Sequence, residues 1–232
     1  MKFSLNLVVL VAISLLFVQC ESNRGNTDIK EEATGVEAGH AYVDLGLPSG
    51  LKWATCNVGA TTPEEYGDYF AWGEVESKET YYWETYKWGL GYSQLIKYCT
   101  QSSRGLAGFS DYKTILDSED DAATANWGGK WRMPTRTEYQ ELIDNCTWIW
   151  TTEDSVNGYK VVGKNRNSIF LPAGGVVIGD IYDSVGSRGF YWSSSLRISS
   201  PGYAYNVCID SDHVGDGSSG RSCGFAVRPV CQ

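Results

Sequence analysis

Histidine is almost missing from this chain: His40 and His213 are the only two in 232 residues. Multi-histidine metal sites and histidine-based acid–base machinery therefore have little to draw on. Positive charge is also scarce. There are 28 acidic against 19 basic residues, a formal net charge of -9 and no run of five or more Lys/Arg, so the footprint of phosphate-backbone binding is lacking and no nucleic-acid partner is expected. None of the seven cysteines forms a Cys-x-x-Cys pair, which argues against a structural zinc site or a thioredoxin-like motif. Large side chains are plentiful. Hydrophobic residues make up 42% of the chain, with 9 Trp and 15 Tyr, enough for a sizeable core in one domain of roughly 190 residues plus a tail.

Met1-Lys2 precedes an uncharged apolar run over residues 3–18, interrupted only by Ser4, Asn6 and Ser14 and followed by Gln19-Cys20-Glu21. The run is shorter than a membrane span and has the basic start and apolar middle of a secretory signal. Its end resembles a bacterial lipoprotein signal, which implies lipidation of Cys20; Phe17 and Gln19 stand where that motif prefers Leu and Gly or Ala. The alternative is an ordinary signal peptide whose cysteine lies near the cut. Residues 1–19 are thus read as signal peptide, 20–40 as lipidated Cys and flexible tether, and 41–232 as the folded domain. The expected location is the bacterial envelope, lipid-anchored, outer-membrane and surface-exposed, with the membrane as a partner through the anchor.

Cys56, Cys99, Cys146, Cys208, Cys223 and Cys231 remain, allowing up to three disulfides in about 15 connectivities, or buried free thiols. Nothing in the Gly/Ser/Asp stretch between Cys208 and His213 would orient a base, so a cysteine nucleophile is not expected and no catalytic residue is assigned. Asp210-x-Asp212-x-x-x-Asp216 misses EF-hand spacing because Val214 occupies the third ligand position, so neither metal nor cofactor is expected.

Short strands are expected at residues 42–45 and 51–54 around Pro48-Ser49-Gly50, at 159–162 and 168–171 around Lys164-Asn165, and at 190–192 and 225–230. Residues 61–112 carry Tyr66, Tyr69, Phe70, Trp72, Tyr81, Tyr82, Trp83, Tyr86 and Trp88 with little period, which reads as loops pinned by buried rings, an exposed platform for sugars being the alternative. Residues 117–121 open a short helix that ends at Gly128-Gly129. A second follows Pro134, where Thr135 and Glu138 form a capping box ahead of Tyr139, Leu142, Ile143 and Cys146. Two helices among many short antiparallel strands with long connections predict a loop-rich α+β domain.

Five ordered segments carry a resemblance: Tyr-Val-Asp-Leu-Gly-Leu-Pro-Ser-Gly-Leu-Lys-Trp-Ala (42–54), Tyr-Gly-Asp-Tyr-Phe-Ala-Trp-Gly-Glu (66–74), Trp-Arg-Met-Pro-Thr (131–135), Tyr-Trp-Ser-Ser-Ser (191–195) and Gly-Phe-Ala-Val-Arg-Pro-Val (224–230). Together they resemble the Fibrobacter succinogenes major paralogous domain family of envelope proteins. The third and fifth also resemble the C-type-lectin-like fold of formylglycine-generating-enzyme type, which implies that fold here. The active-site cysteine pair of those enzymes cannot be mapped onto this chain, and the Glu-Pro-Asn signature of calcium-dependent lectins is missing.

Some members of the family are targets of diversity-generating retroelements, which rewrite AAY codons to NNY between the fourth and fifth segments. Such codons cannot encode Lys, Glu, Gln, Met or Trp. Over residues 196–223 these five types occur zero times in 28 residues, against 36 in the 175 residues from 21 to 195, where composition alone would give about six. An ordinary Gly/Ser loop, poor in those types, is the alternative. The resemblance implies that Tyr203-Ala204-Tyr205 belongs to the scaffold. The implied ligand contacts are Arg197, Ile198, Ser199, Ser200, Pro201, Gly202, Asn206, Cys208, Asp210, Ser211, Asp212, His213, Gly215, Asp216, Ser218, Ser219, Arg221 and Ser222, a palette similar to antibody loops. The functional expectation is an adhesin- or receptor-like binding protein for a protein or glycan ligand. The alternatives are a fixed-specificity structural or carbohydrate-binding envelope protein, and then an envelope hydrolase, for which no oriented nucleophile and base is found.

Overall fold

The computed structural model describes residues 32–232; the signal peptide and the Cys20 lipidation site lie outside the described residues. Twelve strands run in chain order: β1 (Gly35–Glu37), β2 (His40–Asp44), β3 (Lys52–Ala54), β4 (Thr147–Glu153), β5 (Val156–Val162), β6 (Ser168–Pro172), β7 (Val176–Ile178), β8 (Ile181–Asp183), β9 (Arg188–Leu196), β10 (Tyr203–Asp210), β11 (His213–Gly220) and β12 (Val230–Cys231). They form sheets of order β1-β2-β3-β12, β4-β5-β6 and β11-β10-β9 and a β7-β8 hairpin, with every pairing antiparallel. The helices are α1 (Ala122–Trp127) and α2 (Arg136–Asn145).

This architecture corrects the α+β expectation. Strand accounts for 38% and helix for only 14%, so the chain is a β-rich fold. Two segments carry most of the difference. Residues 147–153 form β4, whose Trp148 and Trp150 pack edge-on against Tyr159 of β5. Residues 203–220, inside the 196–223 window whose alternative reading is an ordinary Gly/Ser loop, form one long hairpin of eight-residue strands. Strand β11 is Gly/Ser-rich and lacks an apolar alternation; its backbone pairing with β10, not side-chain burial, defines it.

Helix α2 begins as its sequence dictates. The Thr135 side chain accepts from the Glu138 N–H while the Glu138 carboxylate accepts from the Thr135 N–H, a reciprocal box. Its Tyr139 and Leu142 enter a core with Val43, Leu45, Trp53, Val161, Leu171, Tyr191, Val207 and Ile209. A second core holds Phe70, Trp72, Tyr98, Met133, Trp192, Ala204, Phe225 and Val227. Consecutive residues of β9 (Tyr191, Trp192) and residues three apart on β10 (Ala204, Val207) therefore serve opposite cores, because side chains an odd number of residues apart point to opposite faces of a strand. Both strands are covered on both faces, leaving β11 and the strand ends to solvent.

The first sheet starts at Gly35, inside the stretch expected to be tether. Strand β1 pairs with β2 in a tight hairpin, and the Trp131 indole N–H donates to the Glu37 carbonyl at 2.8 Å, fastening it to the domain. The expected strand at 225–230 shrinks to Val230–Cys231. Upstream, the segment touches a different partner at almost every residue: Gly224 bridges Val177, Phe225 bridges Phe70 and Ala226 bridges Tyr191. Pro229 supplies no N–H, and the fully buried Arg228 donates to Asn57 Oδ1, the Ala54, Thr55 and Phe170 carbonyls at 2.7–3.0 Å. The missing Pro229 N–H and the changing backbone partners leave no continuous ladder along this segment.

Candidate functional site

The expected contact residues do not form one patch. Strand β10 runs from Tyr203 to Asp210, so its ends lie about 24 Å apart; apart from Asp216, exposed midway along β11, the exposed candidates lie at those ends, Ser211, Asp212 and His213 at one and Ile198 and Ser199 at the other. One group lies at the hairpin tip: Asp210, Ser211, Asp212, His213 and Gly215. The other lies on the turn before β10: Arg197, Ile198, Ser199 and Ser200.

At the tip, Asp210 and His213 close a two-residue turn, with the Asp212 N–H donating to Asp210 Oδ1 at 3.1 Å. Ser211, Asp212 and His213 are exposed. The imidazole of His213 lies across Gly215, where any Cβ would collide with it. Arg188 stands 3.9 Å from Asp210 Oδ2, and Ser184, Ser187 and Arg188 complete an open concavity there. Cys208 is half-buried, and burial followed by the Asp210 charge pushes its thiol up. A nucleophilic cysteine needs the opposite shift.

Along β11, Asp216 accepts from Arg136 Nε and Nη2 at 3.0 and 2.7 Å, and the same guanidinium sits 4.0 Å from the Tyr205 ring centroid. This latch ties the edge strand to α2. Ser218 Oγ accepts from Arg197 Nη1 at 2.9 Å, and Ser219 Oγ from Asn206 Nδ2 at 3.0 Å.

Five expected contacts are buried. Pro201, Gly202, Asn206, Arg221 and Ser222 are all enclosed by the fold. Arg221 is fully buried, donating to Tyr86 Oη and to the Tyr98, Pro201 and Lys97 carbonyls at 2.8–3.2 Å, with its guanidinium 4.9 Å from the Trp72 ring. Its role is to join the 97–98 backbone to the turn before β10. An arginine in a loop sequence reads as solvent-exposed; here four acceptors replace its water.

At the Tyr203 end the structure adds residues that the sequence did not single out. Tyr92 stacks on Tyr203 with ring centroids 5.2 Å apart and leans on Trp83 at 4.6 Å. With Arg104, Ser200 and Gly202 the two tyrosines line a cavity of about 310 Å³. A sequence signal existed: residues 89–110 contain no Asp or Glu in an otherwise acidic chain, so Arg104 has no local carboxylate.

Elsewhere, Asp117, Glu119 and Asp120 bring their carboxylates together as a metal site would. Lys97 Nζ fills that space, 3.1 Å from Asp117, 3.2 Å from Glu119 and 2.5 Å from Asp120. Burial opposes its charge, yet the three carboxylates outweigh it and hold the ammonium above its ordinary value. All six described cysteines are free thiols. His40 stacks on Trp127 at 3.9 Å, far along the chain from His213. Compared with family models, curated proteins and solved structures, the chain finds no match.

Proposed function

We propose that this chain is a lipid-anchored envelope protein that binds a ligand through the C-terminal hairpin and the turn that precedes it, and that the sequence of this surface is diversified. The observation that carries the reading is the division of labour within residues 196–223. Exposed positions there are small, polar or isolated anchors such as Ile198, 58% exposed, whereas the residues beneath them, Trp192, Ala204, Val207 and Phe225, are locked in two cores. Recognition surfaces place adaptable side chains on a rigid scaffold in this way.

The two exposed groups favour a macromolecular ligand. An interface of standard size covers about 800 Å² on each partner, broad enough to engage both ends of β10, while a small molecule would reach one end only. The anchor at Cys20, the envelope location and the kinship to the Fibrobacter succinogenes major paralogous domain family belong to the same proposal and rest on the sequence segments given above.

The test is sequencing of the gene and its flanks across independent isolates. Substitutions confined to the exposed members of 196–223, at AAY-derived codons and with a near-copy template beside a reverse transcriptase, are the expected result. Variation spread evenly over the domain would refute diversification and leave a fixed-specificity envelope protein.

A further inference from the structure

The cavity beside Tyr203 brings together two arginines that have no carboxylate partner among the described residues. Arg132, Arg136 and Arg188 each face a carboxylate. Arg104 and Arg197 make no ion pair among the described residues: Arg104 Nη1 donates to Ser93 Oγ at 3.1 Å, and Arg197 Nη1 to Ser218 Oγ. Each guanidinium carries five N–H donors, so most remain for a ligand. Arg104 lines the cavity and is exposed, while Arg197 stands 6.0 Å from the Tyr203 ring on the same turn. In a chain of net charge -9, two cations left without carboxylates beside one cavity mark an anion site.

We infer that this cavity binds a carboxylated sugar, a uronate-type residue of an acidic glycan, with Arg104 as the principal carboxylate partner. The inference rests on the binding role proposed above and names its ligand class. Three features select a sugar over an acidic peptide. The cavity, about 310 Å³, falls at the small end of ligand sites, which run from about 300 Å³ upward, room for one ring and its substituents. Tyr92, 42% exposed, and Tyr203 offer aromatic surface against which sugar C–H groups pack, and Ser200 offers a hydroxyl. The wall has little backbone for a peptide to pair with. The Arg197 N–H donates to Tyr203 O, Ser200 N–H to Arg197 O, Tyr203 N–H to Ser200 O and Arg221 N–H to Gly202 O, and the Ile198 carbonyl accepts from Thr100 Oγ1. Strand addition needs unpaired backbone groups along an edge.

The experiment is calorimetric titration of the full-length protein in detergent with trigalacturonate, the neutral galactotriose and hexaglutamate as probes. Saturable binding of trigalacturonate is expected, with galactotriose weaker by about tenfold or more, as loss of a charge-assisted bidentate contact implies. Arg104→Gln should weaken trigalacturonate by about tenfold, and Arg104→Lys by less, because an ammonium keeps the charge but not the fork. Arg104 is exposed, so an unchanged melting temperature will verify that the variant folds. Absence of saturable trigalacturonate binding, or an unaltered affinity in Arg104→Gln, overturns the inference. Equal or tighter binding of hexaglutamate also overturns it, in favour of an acidic peptide. The isolate sequencing described above is independent of this titration, so failure of the sugar site and failure of the diversified surface are told apart.

Discussion

Replacing Arg221 by Met should destabilise the domain far more than its position in a Gly/Ser-rich loop suggests. Methionine keeps the length of the stem and fills most of the volume, so the change isolates the polar head. Three backbone carbonyls, of Lys97, Tyr98 and Pro201, lose the guanidinium that satisfies them, and none of the three accepts another backbone N–H. Tyr86 is better protected, since its hydroxyl still donates to the Trp72 carbonyl at 2.6 Å. A buried acceptor left unpaired costs about 1–3 kcal/mol, and part of the total returns because a buried guanidinium is no longer desolvated. The net expectation is a loss of about 3 kcal/mol. With a urea slope of about 2 kcal/mol per molar, the unfolding midpoint read by tryptophan fluorescence should fall by about 1.5 M. Amide exchange should accelerate first around residues 97–99 and 200–203, which the guanidinium joins. A midpoint shift under about 0.3 M would refute the reasoning, because it would mean that the carbonyls find water or that desolvation cancels the bonds.

The pH dependence follows from Glu138. Burial works to raise its carboxyl, but the bonds from Arg132 and the Thr135 N–H outweigh it and hold it below the ordinary 4.5; a depressed folded-state value gives stability that is present above 4.5 and is lost as pH falls through the lowered value. Glu138→Gln should therefore flatten the acid limb of a stability profile below about pH 5. Arg136→Ala should cost only about 0.5–1 kcal/mol, the pair with Asp216 being half exposed and screened, while exchange of β11 amides rises. Two glycines should behave oppositely: Gly215→Ser needs only the exposed His213 ring to swing away and should shift stability by about 0.5 kcal/mol or less. A Cβ at Gly224 would come 2.8 Å from the buried Tyr81 ring, so Gly224→Ala should lower the melting temperature by several degrees in calorimetry.

The two helices were legible because their signals are local. Thr135 and Glu138 define a start and Gly128 a stop, and neither depends on a distant partner. Strands β2, β3, β5 and β6 were legible for a similar reason, each being a short β-branched or aromatic run beside turn residues. Strand β11 was not, because Gly215, Asp216, Gly217, Ser218 and Ser219 have no strand propensity and owe their conformation to the ladder with β10. The candidate site was half legible. Ser211, Asp212 and His213 do reach solvent, but Arg221 and Asn206 share the polarity of surface residues and are buried through partners more than ten positions away. Tyr92 and Arg104 come from a segment about a hundred residues upstream, and no periodicity within it could bring them to Tyr203.

The last segment of the chain, which bridges Val177, Phe70 and Tyr191 and then pairs with β3, also sets the order of assembly. The contacts of residues 224–231 reach back to β3, so the central pieces cannot lock until this segment is in place. Such high contact order slows folding and keeps a nascent chain open. A chain cut after residue 223 would keep every strand from β1 to β11 yet lose the segment that clamps them together.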